Sequence, residues 1–388
     1  VARLLVVGGG IAGAGAALAL HKAGFDVAVH EAHPDSAEDI GAFLTLASNG
    51  MRALAEVDAS AAVTATGFPL TSMRVLDDTG AEIAQVPLGE AGTPHLRYRC
   101  VRRGELNAAL QAEAARRGIG IRHGTRLVSV DDGADGVTAH FADGSKATGD
   151  LLLGADGLNS TVRRLVAADA RPAHAGQQVF YGYTSEAPEG GRAETITMVR
   201  GSTAAFGYAV SPEGETYWFA RVAAGPLAAD DIERATAGRL RDFLLPLLRK
   251  DATPAADLVA ATSDDLMVTN ATELPVGTPW RRGRTLLVGD AAHAASPATG
   301  QGASMALEDA VVLAKSLRDA PDTDTALALY ERLRRPRVEH NIAVSGNISR
   351  GTHTPSGPGP RGAGPHRQGD DELIGQLDWN TGLWRPAP

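Results

Sequence analysis

The chain has 388 residues, 44% of them hydrophobic and 21% charged, with a formal net charge of −9. That composition is globular and long enough for two or three domains, and its acidity argues against a sequence-independent nucleic-acid binder. A single cysteine, Cys100, excludes an intrachain disulfide and a redox dithiol, and no apolar run approaches the roughly 18 residues of a transmembrane helix. With no signal-peptide pattern after the first apolar run, a soluble, cytoplasmic protein is expected.

In chain order, "RLLVVGGGIAGAGAALALHKAGFDVAVHEA" reads as strand, glycine turn, helix and strand. Continuous "LLVV" suits a parallel strand buried on both faces, and the Ala/Leu-rich stretch Ala12–Ala23 stops at Gly24. "SMRVLDDTGAEIAQVPL" alternates around Asp78-Thr79-Gly80 as a hairpin does. Arg103–Arg117 returns to helical spacing. "VTAHFADGSKATGDLLLGADG" predicts a hairpin feeding a buried strand. From Ala175 to Asp265 come strand-like runs: "QVFYGYTS", "ETITMVR", "AAFGYAV" and "TYWFARVA". Two helices follow, about Gly302–Leu317 and Asp324–Ile342, the second expected to kink or break at Pro336.

Two textures therefore interleave, predicting an α/β protein. A discontinuous, Rossmann-like domain with a parallel sheet (1–70, 98–174 and 266–345, with C-terminal helices) carries an antiparallel-sheet substrate domain (71–97 and 175–265). Residues 346–388 form a Gly/Pro-rich tail whose composition argues against a packed core. Within it, "LIGQLDWNTGLW" offers Leu377, Trp379 and Trp384 for docking.

The first chemical signal is Gly8-x-Gly10-x-x-Gly13, set between a strand and a helix. Gly8 allows the tight turn, Gly10 the approach of a pyrophosphate, and Gly13 the close packing of helix on strand, with the helix N-terminus facing the phosphates. Glu31, ending the next strand, can accept hydrogen bonds from ribose hydroxyls. His30 and His33 flank it at a spacing that fits no standard zinc pattern, so no metal is expected. Asp290 and His293, three apart after "TLLVG", invite reading as an acid–base pair. No G-x-S-x-G elbow, H-E-x-x-H or C-x-x-C accompanies them.

"LLLGADGLNSTVR", "LLVGDAAHAASPATGQGASMALEDA", "GAFLTLASNGMRAL" and "VRRGEL" together resemble motifs of the flavoprotein aromatic hydroxylases, the single-component class A monooxygenases with the p-hydroxybenzoate hydroxylase fold. The chain is most similar to the compact branch that holds the salicylate, hydroxybenzoate, kynurenine and tetracycline hydroxylases. The resemblance implies tightly bound FAD, transient NADH or NADPH, and O2. It implies a C4a-hydroperoxide on the flavin that hydroxylates or epoxidises a small to medium aromatic or heteroaromatic substrate. It also implies cofactor contacts from Gly8, Gly10, Ala12, Gly13, Glu31, Arg103, Val128, Asp156 and Gly157. Asp290 would hold ribityl or ribose hydroxyls, His293 would brace its loop, and Pro297 would lie at the flavin face. The helix opening at Gly300-x-Gly302-Ala303 would stabilise charge at the flavin N1–C2=O edge. Phe43 stands where many relatives have a glycine, which bears on flavin movement.

For the substrate, the aromatic-rich strands offer Tyr181, Tyr183, Tyr208, Tyr217, His174 and Arg221. Tyr217 and Arg221 share one strand face and are the chosen candidates for positioning or activation. Alternatives that stay open are a flavin oxidase, dehydrogenase or reductase, a flavin-binding sensor, and a Rossmann protein binding NAD alone. The expected assembly is a monomer or homodimer, with no membrane span.

Overall fold

The structure is a computed structural model and describes residues 2–36, 41–133, 135–352 and 366–384. The chain begins β1 (Arg3–Val7), α1 (Ile11–Lys22) and β2 (Asp26–His30). Next come β3 (Phe43–Leu46), α2 (Ser48–Glu56), α3 (Ser60–Thr64), β4 (Phe68–Leu70) and the hairpin β5 (Ser72–Leu76) and β6 (Glu82–Pro87). β7 (Tyr98–Arg102) feeds α4 (Arg103–Arg116), followed by β8 (Gly120–Arg122), β9 (Leu127–Gly133), β10 (Gly136–Phe141), β11 (Lys146–Gly149), β12 (Leu151–Gly154) and α5 (Thr161–Val166). The long strands β13 (Ala173–Thr184), β14 (Thr195–Arg200), β15 (Ala204–Val210) and β16 (Thr216–Ala223) precede α6 (Ala229–Glu233), α7 (Ala237–Leu248) and α8 (Ala255–Ala261). The chain closes with β17 (Leu266–Glu273), β18 (Arg281–Arg282), β19 (Thr285–Leu287), α9 (Asp290–His293), α10 (Gly302–Asp319), α11 (Thr323–Ser349) and α12 (His366–Leu377).

One six-stranded sheet runs β18-β19-β12-β1-β2-β8, with all neighbours parallel except β18 against β19. Its central strands are apolar on both sides because helices cover both faces. α1 is buried from Gly13 to Leu20 and α10 from Ser304 to Ser316, so over these stretches neither turns a polar stripe to solvent. Both glycine constraints at the first turn are visible. A Cβ on Gly13 would lie 1.8 Å from the Gly8 carbonyl oxygen, and one on Gly8 would lie 2.4 Å from that of Ala155.

The second large sheet runs β17-β13-β16-β15-β14-β5-β6. β5 reaches it from far back in the sequence and pairs with β14 in parallel, the one exception in an otherwise antiparallel sheet. Its side chains alternate strictly. Phe180, Phe206, Tyr208 and Trp218 point to one face and pack under Leu240, Leu244 and Leu248 of α7. Tyr181, Tyr183, Tyr217, Phe219 and Arg221 occupy the other face, toward the first domain.

Three expectations change. β17, allotted by sequence to the nucleotide-binding part at 266–345, is hydrogen-bonded along β13 and belongs to the second sheet. The 175–265 segment, read as strands, holds three helices between 229 and 261; the spacing of Leu240, Leu244 and Leu248 carried that signal. α11 runs unbroken through Pro336, which is exposed, so the carbonyl it cannot serve faces water.

Residues 353–365 of the Gly/Pro-rich tail lie outside the described residues. Beyond them Leu377 is fully buried and Trp379 packs against the main core, while Trp384 is half-buried. Lys315 donates to the carbonyls of Gln376 (2.6 Å) and Asp378, and Trp379 lies 5.0 Å from both Lys22 and Arg318.

Candidate active site

The cofactor cradle starts at the N-terminus of α1. Gly10 caps it in extended conformation with no side-chain cap, leaving the first-turn N–H groups open, and nothing stands within 4 Å of where a Gly10 Cβ would be. Ala12 packs against Gly289: a Cβ there would lie 2.7 Å from that of Ala12. The Glu31 carboxylate sits beside the loop, accepting from Gly9 N (2.5 Å) and His33 N (2.6 Å). Gln111 of α4, which the sequence did not single out, donates to the Gly9 carbonyl at 2.7 Å. Arg103 opens α4, its N–H on the Ala42 carbonyl and its stem against Gly41. Val128 lies on β9 and is 58% exposed.

Two strand-end turns meet across this loop. After β12, Asp156 accepts from Ser160 Oγ and from the N–H groups of Thr161 (2.7 Å) and Val162 (3.1 Å), and so caps α5. Gly157 supplies the left-handed residue of that turn, with φ +71. Arg163 donates to Leu158 O and to Ala291 O, tying this turn to the one after β19. There Asp290 is exposed, with an oxygen 3.8 Å from where a Gly302 Cβ would be. His293 faces the opposite way. It is 5% exposed and bonded to Asp309, whose carboxylate also accepts from Gly289 N (3.2 Å) and Arg334 Nε (2.7 Å). Asp290 and His293 therefore do not pair as their spacing suggests: Asp290 faces the cavity and His293 the core.

Behind Asp309, Arg334 Nη1 lies 2.7 Å from Glu308, and Glu308 also accepts from Asn49 and twice from Arg337. Burial drives both carboxyls upward, but the surrounding cations hold them below the ordinary range. The cluster braces the first turns of α10. That helix begins at Gly302 with no side-chain cap, so its N–H groups face the cavity.

The cavity has a volume of about 490 Å³. Asp290, Pro297, Gly300, Gly302 and Ala303 form one wall, Phe43–Thr45 a second, and the inner face of the second sheet the third. Arg221 lies on that sheet wall, 9% exposed, and its Nε and Nη1 have no hydrogen-bond partner among the described residues. Burial lowers its pKa, opposed by Tyr181. Burial in turn pushes the Tyr181 phenol up to about 12, so it stays protonated and can donate.

Tyr217 lies on the same face but behind Phe43, outside the cavity lining. Its hydroxyl accepts from Arg102 Nε at 3.3 Å, and Arg102 spans both oxygens of Glu215 and stacks 4.0 Å from the Tyr183 ring. Burial opposes the Arg102 charge, yet the bonds to Tyr217 and Glu215 raise its pKa overall. Phe43 is caged by Tyr181, Tyr183, Tyr217 and Phe219, at centroid distances of 5.6–6.3 Å. Tyr208 points to the other face of the sheet, and His174 bonds the Gln177 carbonyl away from the cavity. The sequence missed Phe219, Met73 and Met198, which do line it. Phe219 was legible as the middle member of an alternating Tyr-x-Phe-x-Arg run.

Two open helix N-termini, a glycine loop with free space at its tip, and carboxylates at two strand ends fit an extended dinucleotide whose ring system reaches the cavity. The class so defined is an α/β nucleotide-binding protein whose cofactor cradle meets a largely antiparallel sheet across a cavity. The chain belongs to the FAD binding domain family, whose model matches residues 2–345. It is 32% identical to the aurachin C monooxygenase/isomerase of Stigmatella aurantiaca over 350 residues, covering 89% of this chain and 88% of that protein. It is 33% identical to the 2-heptyl-3-hydroxy-4(1H)-quinolone synthase of Pseudomonas aeruginosa (strain UCBPP-PA14) over 339 residues, 87% and 86%. The structure of Klebsiella pneumoniae HpxO complexed with FAD and uric acid superposes with a TM-score of 0.81 at 28% identity, over 98% of this chain and 93% of that one. The protein is an FAD-dependent monooxygenase, as the motif resemblance implied. Among the described residues, no helix is long and apolar enough to cross a membrane.

Proposed function

We propose that the protein uses NADH or NADPH and O2 to hydroxylate or epoxidise a small to medium aromatic or heteroaromatic molecule bound in the cavity. The observation that carries this is the meeting of the cofactor wall, Asp290 and Pro297–Ala303, with a sheet wall bearing one buried, unpartnered guanidinium. Bound FAD supplies the redox chemistry and the oxygen transfer.

The chain's own residues bind, orient and exclude water. The open N-terminus of α1 receives the pyrophosphate over Gly8, Gly10 and Gly13, with Ala12 against Gly289. Glu31 accepts from the ribose. Asp290 accepts from the ribityl or ribose hydroxyls. Arg103, Val128 and the Asp156-Gly157 turn line the cofactor's path, and Pro297 faces the flavin. The Gly302–Ala303 N–H groups stabilise negative charge at the flavin edge. On the substrate side, Arg221 holds an anionic or carbonyl oxygen and protonated Tyr181 donates a hydrogen bond. Tyr217 acts at one remove, by holding Phe43 and Arg102. The molecules named for the relatives, the quinolone that one synthesises and the uric acid bound to the other, are heteroaromatic and carry such oxygens, which supports the reading. A cytoplasmic monomer or homodimer completes it.

The test is substrate-stimulated NAD(P)H oxidation across an aromatic library, with each product's mass checked for one added oxygen from labelled O2. Anaerobic turnover, or product without the label, would replace this reading with an oxidase or dehydrogenase.

A further inference from the structure

The sheet wall of the cavity is chemically divided along the direction that crosses the strands. At one end, Arg221 of β16 is paired with Val179 of β13, and Tyr181 lies opposite Phe219. At the other, Met198 and Ile196 of β14, Met73 of β5, and Leu88 just beyond β6 line the cavity. Gly207 of β15 sits between the two ends, opposite Phe219 on one side and Met198 on the other. A Cβ there would lie 2.5 Å from the Phe219 ring and 3.0 Å from Met198 Sδ. The missing side chain lets both neighbours lie across it, so the floor is continuous from one end to the other.

Three inter-strand steps separate β16 from β5, or about 14 Å at roughly 4.8 Å per step. That length exceeds a single aromatic ring. The guanidinium end has no counter-charge of its own, whereas the far end offers two thioethers and two aliphatic side chains. Unbranched methionines adapt to flexible apolar groups better than rigid side chains do.

We propose that the preferred substrate is an aromatic compound with an anionic or carbonyl oxygen at one end and an aliphatic chain at the other. The oxygen binds Arg221, and the chain lies across Gly207 along Met198, Ile196 and Met73. This rests on the reading of the cavity as the hydroxylation site and adds the shape and polarity of what enters it.

The test is calorimetric binding to the FAD-loaded protein, with para-alkylbenzoates from para-methyl to para-octyl and the matching para-alkylbenzamides. In the wild type, affinity should rise about fourfold per added methylene until the far end is filled, with the benzoates tighter than the benzamides. Arg221→Gln should weaken the benzoates by a common factor of about ten- to a hundredfold and keep the chain-length slope. Met198→Gln should flatten that slope. A wild-type affinity independent of chain length overturns the proposal, as does a slope untouched by Met198→Gln. Benzoates that bind Arg221→Gln as tightly as the wild type remove the Arg221 anchor, and the chain-length slope retained by that variant shows that it has folded. Because binding is measured without turnover, the outcomes separate. A chain-length slope with no oxygenated product sinks the monooxygenase reading alone; oxygenated products with no slope sink this inference alone.

Discussion

Replacing Arg334 by methionine should cost more than any other single change behind the active site. The guanidinium is fully buried and lies between two fully buried carboxylates, 2.7 Å from Glu308 and 2.7 Å from Asp309. Methionine keeps much of the volume but leaves both acids short of a cation. Glu308 retains Arg337 and Asn49, and Asp309 retains only His293 and Gly289 N. Removing one partner from a buried ion pair typically costs about 3–5 kcal/mol. For a chain of 388 residues that corresponds to about 4–6 °C in unfolding midpoint. The effect should also reach the cofactor. Asp309 holds the Gly289 N–H and His293, which frame Asp290, so the FAD dissociation constant should rise about fivefold, roughly 1 kcal/mol. Denaturant unfolding of the FAD-loaded protein gives the first quantity and fluorescence titration of the apoprotein gives the second. A stability loss under about 1 kcal/mol would refute the energetic argument. A full loss with unaltered FAD affinity would refute the coupling to the Gly289–Asp290 turn.

Asp290→Ala should weaken FAD binding about ten- to a hundredfold, the range for a charged hydrogen bond; FAD retained at wild-type affinity with altered proton transfer would restore the acid–base reading. His30 is buried, stacked on Phe141, and pushed down to about 4 by burial and by Arg122 and Arg3. It is neutral in the fold, while the unfolded chain takes up a proton below about pH 6.5, so stability should fall between pH 6.5 and 4 by up to about 3 kcal/mol. His30→Phe should flatten that limb in denaturation measured across the window, and an unchanged slope would discard the assignment. Lys315→Met removes the donor to the Gln376 and Asp378 carbonyls; the segment from 371 should then be cut faster in limited proteolysis, and equal cleavage rates would show that these two bonds do not hold it.

The turn at Gly8–Gly13 was legible because it is a local problem: a strand, a tight turn and a helix must meet within a few residues, and glycine is the residue that lets them. The same holds for the strand-end turns at Asp156 and Asp290. The helices between 229 and 261 carry a helical signal too, in Leu240, Leu244 and Leu248, set between strand-like runs on both sides. β17 was not legible. Its residues suit either sheet, and only hydrogen bonding to β13 assigns it. Pro336 misled for a similar reason: sequence shows the missing donor but not that the freed carbonyl faces solvent.

Sequence alone determined the turns at Gly8–Gly13, Asp156 and Asp290, since these are backbone geometries that particular residues in particular spacings make unavoidable. Tertiary structure decided the cavity wall on the second sheet. Tyr217 and Arg221 have equivalent positions on one strand face, and both read from sequence as substrate residues. The approach of Phe43 from a distant strand covers Tyr217 and leaves Arg221 bare. Met73, from 146 residues before Phe219, completes the same wall through the parallel pairing of β5 with β14. Which side chains share a cavity depends on contacts between segments far apart in the chain, and no local pattern of residues encodes them.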